Sequence, residues 1–496
     1  MSEKYLFAAE ADKIQGLIFR SSRLREVSGG SQMLEEFCKY TVEKLAREFD
    51  GEVIISSGGS IRISFNNAEK ANEFGEYLVE LYRRKFDGTI TTAGPIKITS
   101  EKEALNKIQE ELRKEKQIGR VPFATEQMPY MAICGSCGVG IAKYYKKRYP
   151  DEDENYFCAI CEEKFLARDR IKENFLKEFY CLVTDNSRQD FDFLQEVSDL
   201  GRLEARNYVA YLIADVNDMG IVFGSCDNFG RLTQLSNDLN NILWRALAEP
   251  TKQLLNIETK TLLIPVLPLI LGGDDLFALI PAQWALDFTC CFCEKFEEYI
   301  QRVLKVEIGF QPTISAAVII CKAKFPYSVA HDLGGQMLKE TKKVAKENKI
   351  STISFQIISG NEIVKASDKD KNQTFVAGYP VYSLEEIKKM LDYRKELTNL
   401  SGRRRAQLQS MFFKAEEMNY ERMKEEWLPE LEHIVKRIGR PIGEKVVAAF
   451  KNLGNPEEEI CWKWFNGKYR HKFPDLLSAW NFSYGLDTNP YEEVIE

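Results

Sequence analysis

Two distant stretches of the chain repeat one order of hydrophobic and polar positions. Tyr5–Asp12 and Tyr211–Asp218 are apolar, strand-like runs that end in polar residues. Helical periodicity follows each, over Gln32–Phe49 and Leu232–Leu254. Ile55–Arg62 and Leu269–Leu276 then place Gly-Gly between two apolar runs, as a tight hairpin requires. A second helical pattern closes each unit, over Ala68–Lys85 and Ala282–Leu304. The order of strand, helix, hairpin, helix and strand predicts the split βαβ, ferredoxin-like arrangement twice. Beyond the second unit, Phe310–Cys321 reads as a strand and Tyr327–Asn348 as a helix. From Ser383 the pattern is helical and charged.

Aligned on their Tyr-Leu pairs and on their Gly-Gly pairs, the two copies differ in acids. The second has Asp215, Asp274 and Asp275 where the first has Ala9, Ser60 and Ile61. Three charged runs, Glu101–Lys116, Lys146–Glu154 and Lys365–Asn372, read as exposed connectors.

Composition narrows the function. At roughly 100–200 residues per domain, 496 residues suggest three or four domains. A net charge of -7 excludes a uniformly basic nucleic-acid coat. Only three histidines occur, and none precedes His331-Asp332, so a histidine-rich HD-type phosphohydrolase site is excluded. The N-terminus lacks the pattern of a signal peptide. The most apolar run, Thr261–Leu271, is far short of the ~18 residues of a membrane helix and holds two prolines. The expectation is a soluble chain of a reducing cytoplasm, with no membrane partner.

In the predicted topology the first strand of the second copy lies beside its hairpin, which brings Asp215 to Asp274 and Asp275. Clustered carboxylates repel one another unless divalent cations bind them. Mg²⁺ or Mn²⁺ suits a few carboxylates together with phosphate oxygens, and two such ions can clamp an in-line phosphoryl displacement. Asp215, Asp274 and Asp275 are the expected catalytic residues, with Asp215 and Asp274 as metal ligands. Gly272 and Gly273 let backbone approach a nucleotide, and Asn217 and Asp218 are expected to shape its pocket. Gly58, Gly59 and Ser60 are the matching nucleotide-binding residues of the first copy. Lys339, Lys342, Lys343 and Lys346 share one helix; Lys339 and Lys343 are expected at the triphosphate, and a solvated face accounts for the others.

Cys134-Gly-Ser-Cys137 and Cys158-Ala-Ile-Cys161 are separated by twenty residues. This spacing reads as a four-thiolate structural zinc site. Lys143, Lys146, Lys147 and Arg148 lie in the insert and offer contact to a partner. Cys290, Cys291 and Cys293 read as core residues.

The chain resembles the large polymerase/cyclase subunit of type III CRISPR effector complexes. The resemblance rests on Asp12-Lys-Ile-Gln15 with Leu24–Ser31, on the zinc ribbon, and on Asp215–Gly220 with Gly272-Gly-Asp-Asp275. It continues in Pro312–Ser315 through Pro326 to the lysine-rich helix and Gly378-Tyr-Pro380. It covers roughly residues 1–385 and implies an α+β fold of two ferredoxin-like palm domains, an inserted zinc ribbon and a C-terminal helical domain. The implied division is 1–120 for a catalytically degenerate first palm and 121–200 for the ribbon and a helical linker. The second palm takes 201–375 and the helical domain 376–496.

The family's activity would be conversion of ATP into 3′–5′ cyclic oligoadenylate, with pyrophosphate release on target-RNA capture. In the family the first palm binds the other ATP. Implied partners are the small helical subunits, the subunit at the guide-RNA end, and guide and target RNA. Because the palm pattern starts at residue 4, the family's N-terminal HD nuclease domain is expected to be absent. Some relatives without it make other ATP-derived signals, such as a conjugate with S-adenosylmethionine or a cyclic dinucleotide. A diguanylate cyclase fits less well, since Asp275 and Leu276 replace the usual Glu and Phe. A nucleotide-binding scaffold without turnover is the non-enzymatic alternative. Arg403, Arg404 and Arg405 read as a docking surface or as part of a helical bundle whose core is aromatic.

Overall fold

The computed structural model describes residues 3–21, 23–118, 130–150, 152–170, 175–184, 194, 196–257, 264–304, 311–359, 380–415, 418–455, 457–465 and 468–488. The predicted connector Lys365–Asn372 and the Gly378-Tyr379 pair lie outside these residues.

The first repeat forms a four-stranded antiparallel sheet from β1 (Tyr5–Ala11), β2 (Gly51–Ser57), β3 (Ser60–Phe65) and β4 (Ile90–Lys97), in the order β2-β3-β1-β4. Its long helix, Ala68–Phe86, starts where the Asn67 side chain accepts the Glu69 N–H. It stops at Asp87, whose backbone is left-handed. Phe74, Leu78, Tyr82 and Phe86 are the helix's large buried residues. They recur at every fourth residue, which keeps them on one helix face.

A small antiparallel hairpin, β5 (Tyr144–Lys146) and β6 (Asn155–Phe157), belongs to the cysteine-bearing insert. The second repeat builds the larger sheet from β7 (Tyr208–Val216), β8 (Leu267–Gly272), β9 (Asp275–Pro281), β10 (Ile314–Lys322), β11 (Thr352–Ile357) and β12 (Val381–Ser383). Its order is β12-β11-β10-β7-β9-β8. Four of these strands reproduce the first sheet, and β11 adds in parallel beyond β10. The ferredoxin-like order is thus present twice, as the repeat predicts. The helix Tyr327–Asn348 has the predicted bounds.

The run Glu101–Lys116 is not a free connector. It lies in a helix, Glu101–Ile118, whose Ala104, Ile108 and Leu112 are buried. This apolar stripe at every fourth residue packs the helix on β1 and β4.

The C-terminal part is helical, with Trp427, Trp462, Phe412, Phe450 and Phe473 buried together. Arg405 lies 4.7 Å over the Trp480 ring and Arg404 donates to the Arg437 carbonyl at 3.2 Å, so two of the three arginines serve the bundle. Cys290 and Cys293 are buried and Cys291 is half-buried, in line with a core role. No helix among the described residues is long and apolar enough to cross a membrane.

The candidate nucleotide cleft and the cysteine cluster

The two repeats meet at their hairpin tips. A Cβ on Gly58 would lie 3.9 Å from the Cα of Gly273. Both glycines have positive φ, +57° and +66°, which a tight hairpin needs and a side chain resists. Between the repeats runs a cleft of about 820 Å³. Gly58, Gly59, Ser60, Gly272, Gly273, Asp274 and Asp275 all line it, and Asp215 does not.

Asp215 and Asp275 are direct partners in the β7–β9 register. The turn residue Asp274 offers its carbonyl to the Val216 N–H at 3.0 Å. Burial, then Asp215, then Asp274 push the Asp275 carboxyl up to about 8, and burial with Asp215 raises Asp274 as well. The cation that meets the group is Lys342, in contact with the Asp215 carboxylate. Lys346 lies 3.8 Å from Asp218. Lys339 is exposed, and Lys343 is exposed and paired with Glu340 at 2.7 Å. The helix therefore turns Lys342 and Lys346 to the acids, and not the expected Lys339 and Lys343.

Asn217 and Asp218 also differ from expectation, since neither lines the cleft. Asn217 is buried and joined to Thr313 and Ser315 at 2.9 and 3.1 Å, so it fixes the strand end that carries Asp215. Asp218 is left-handed, φ +60°, and starts the short helix Met219–Gly224.

The structure shifts the correspondence between the copies by one residue. Glu10 pairs with Ser60, as Asp215 pairs with Asp275. Ala11 N–H donates to Gly59 O, as Val216 N–H donates to Asp274 O. Asp12 N–H donates to Thr89 O, as Asn217 N–H donates to Thr313 O. The Thr91 hydroxyl reaches Asp12, as the Ser315 hydroxyl reaches Asn217. Asp215 thus matches Glu10 and not Ala9. Asp274 and Asp275 match Gly59 and Ser60, not Ser60 and Ile61.

The first copy keeps one carboxylate. Glu10 is held by Arg62 at 2.7 Å and Lys116 at 2.5 Å. Burial alone would raise its carboxyl, yet these two cations hold it below the usual range. Glu10, Arg62, Gln109, Arg113 and Lys116 all line the cleft. Sequence reasoning missed them. The stripe Ala104–Ile108–Leu112 was the available signal, because it fixes which face of that helix meets the sheet.

The sulfurs of Cys134, Cys137, Cys158 and Cys161 all lie within 4.8 Å of one another. A zinc tetrathiolate with Zn–S of about 2.3 Å sets its sulfurs about 3.8 Å apart, and Cys137 and Cys158 are 3.9 Å apart. Gly140 N–H points at the Cys137 sulfur and Cys161 N–H at that of Cys158, which favours thiolates. The donor set fits a closed zinc site.

Arg148, expected to face a partner, has a fully buried side chain. It contacts Glu26, whose carboxylate also takes the Ser21 and Ser136 hydroxyls, and lies 3.3 Å from Glu162. Lys146 pairs with Glu162 at 2.5 Å, while Lys143 and Lys147 are exposed. A Cβ on Gly29 would sit 1.8 Å from the Lys164 carbonyl, so the ribbon's helix packs directly on this glycine.

Residues 208–351 match the family model described as Cas10/Cmr2, second palm domain. The comparison with curated proteins finds no match. Among solved structures, the Csm1–Csm4 cassette in complex with cA4 is similar at TM-score 0.53 and 12% identity, over 92% of this chain and 65% of that one. The cassette in complex with cA3 is similar at TM-score 0.56 and 12% identity, over 97% of this chain and 70% of that one. The chain therefore spans about two thirds of the length of the structures it resembles. The second repeat is thus similar to a Cas10/Cmr2 second palm domain, and the chain shares the fold of those structures.

Proposed function

We propose that this chain, through its Cas10/Cmr2-type second palm, is a metal-dependent nucleotidyltransferase that converts ATP into 3′–5′ cyclic oligoadenylate. The observation that carries the reading is the pairing of Asp215 with Asp275 beside Asp274, the latter two lining a cleft between the two repeats. Among the described residues Lys342 is the cation in contact with Asp215, and burial, then the neighbouring carboxylates, raise Asp274 and Asp275. Mg²⁺ or Mn²⁺ held by Asp215, Asp274 and Asp275 would activate the nucleophile and neutralise the leaving group.

The reaction joins a ribose 3′-oxygen to an α-phosphorus as the bond from that phosphorus to pyrophosphate breaks. The hydroxyl proton leaves to solvent. Gly272 and Gly273 present backbone without side chains where the nucleotide enters. Asn217, tied to Thr313 and Ser315, keeps the end of β7 and its Asp215 in place. Lys342 balances part of the acid charge before metal and substrate arrive.

Crystal structures of the similarly folded Csm1–Csm4 cassette are in complex with cA4, cA3 and pppApA, which supports an oligoadenylate product. The presence of Csm4 in those structures supports a Csm4-like partner, and the reading places guide and target RNA on an effector complex built around the pair. The division at 1–120, 121–200, 201–375 and 376–496 is part of the proposal.

The test is incubation with ATP and Mg²⁺ or Mn²⁺, with and without target-bound complex, followed by mass spectrometry. Cyclic oligoadenylate and pyrophosphate are expected. An adenylated conjugate instead would redirect the reading to another ATP-derived signal. Absence of any product in every arm would leave a scaffold.

A further inference from the structure

The acids of the second palm sit on a sheet face that the first palm helps to cover. In the β7–β9 register Asp215 pairs with Asp275 and Ile213 with Phe277. Side chains alternate along a strand, so Asp215, Ile213, Tyr211, Asp275 and Phe277 share one face. Tyr211 and Phe277 stack there, 5.8 Å apart and 5° from parallel. The helix Tyr327–Asn348, which brings Lys342 to Asp215, lies close on this face: a Cβ on Gly334 would sit 2.0 Å from Ile213 Cδ1.

Phe19 belongs to the first palm, just after the short helix Ile14–Ile18, and is buried. Its ring meets Phe277 edge-on at 4.8 Å and His331 at 4.1 Å, with Tyr327 at 6.3 Å. Phe277 and His331 themselves meet at 5.2 Å. The ring thus touches both elements that assemble the acid group. Phe277 stands two residues beyond Asp275 on β9, and His331 stands on the helix of Lys342.

Phe19 is also held from behind. Two residues before it, the Leu17 carbonyl accepts from the buried Lys164 ammonium at 2.5 Å. Two residues after it, the Ser21 hydroxyl lies 3.0 Å from that of Ser136, and both hydroxyls donate to Glu26. Lys164 and Ser136 belong to the cysteine-bearing insert, so the insert fixes the backbone on either side of Phe19.

Interiors are close-packed, and neighbours move into the space a deleted ring leaves. A shift of Phe277 or His331 moves Asp275 or Lys342 relative to Asp215, and metal and phosphoryl chemistry is sensitive to displacements below 1 Å. We infer that Phe19 is a positioning residue for the acid group of the opposite palm, setting where β9 and the helix Tyr327–Asn348 hold Asp275 and Lys342 about Asp215. That these acids hold a catalytic metal rests on the function proposed above; the aromatic contact does not.

The experiment is Mn²⁺ titration of the zinc-loaded full chain, read by electron paramagnetic resonance, beside thermal melts and ATP kinetics. Phe19→Ala is expected to weaken Mn²⁺ binding about tenfold, the low end for residues that support metal ligands from behind. Its kcat should fall about tenfold with KM for ATP unchanged. Phe19→Leu, which refills most of the space, should lie between alanine and the parent. Phe74→Ala opens a similar hole in the first-palm core, against Phe7 and Phe65. It is expected to lower the melting temperature and leave Mn²⁺ binding as in the parent. Parental Mn²⁺ affinity in Phe19→Ala, or in Phe19→Leu if the alanine chain does not fold, would overturn the proposal. Equal weakening in Phe74→Ala would overturn it too, because the effect would then be general loss of stability. Mn²⁺ binding that Asp274→Ala abolishes and Phe19→Ala weakens, without product from ATP, leaves the positioning role standing and the synthetase reading fallen. Product with parental kcat and Mn²⁺ affinity in Phe19→Ala does the reverse.

Discussion

Glu10 occupies in the first palm the position that Asp215 occupies in the second. Each is the β-strand carboxylate that pairs with the first residue after the hairpin turn, Ser60 in one case and Asp275 in the other. Each also carries a lysine from the following helix, Lys116 or Lys342. What separates the acidic group from the cation-paired one is therefore the hairpin and residue 62, not the loss of every acid.

Asp275→Asn removes one of three acids without changing side-chain volume. Product formation is expected to fall ~10²-fold or more, with the melting temperature kept or raised. A folded variant with parental activity would remove Asp275 from the site.

The raised Asp275 also sets a pH dependence. Its folded pKa, about 8, lies above the ordinary carboxylate value, so the folded state favours its protonated form. The resulting stability is present at low pH and declines as pH rises from the carboxylate range through about 8. In EDTA, thermal melts should show the protein less stable at pH 9 than at pH 6, and Asp275→Asn should flatten that difference. Mg²⁺ should restore stability at high pH.

Lys342 competes with a divalent ion for Asp215. Lys342→Ala is expected to tighten Mn²⁺ binding roughly fivefold, from ~1 kcal/mol for a partly exposed pair. Lys339→Ala and Lys343→Ala should leave Mn²⁺ titrations unchanged. An equal effect from all three would mean a diffuse helix charge instead of a contact.

The Glu26–Arg148 pair is fully buried, so breaking it leaves an uncompensated charge. Arg148→Met is expected to cost about 3–5 kcal/mol, lessened by the two serine hydroxyls that remain on Glu26. Lys147→Ala, at an exposed position, is the control. Denaturant titration reads both.

Zinc removal should act on the same region. Cys158→Ser is expected to lower bound zinc, read by atomic absorption, and to shift the melt downward. The Ser136–Glu26 contact joins the cysteine cluster to the first palm, so protection of Leu24–Glu36 in hydrogen exchange should fall as well.

The sequence by itself determined the inventory of elements and their repeat. Gly-Gly between apolar runs specifies a hairpin, helical periodicity specifies the packed face, and paired Cys-x-x-Cys knuckles specify a four-sulfur cluster. These are local constraints, written in adjacent residues. Register was not written there. β7 is buried on both faces, and β1 along most of its length, so neither strand shows the alternation that would fix its phase. The matching Tyr-Leu pairs then favour an alignment one residue out, and a one-residue slip exchanges the faces of a strand. Only the hydrogen-bonded sheet decided that Glu10, not Ala9, answers to Asp215. Tertiary packing likewise decided that Lys342 meets Asp215, that the Arg148 side chain is buried against Glu26, and that Arg113 lines the cleft. Each of these depends on how a helix is rotated against a distant sheet, and that rotation is set by contacts far apart in sequence.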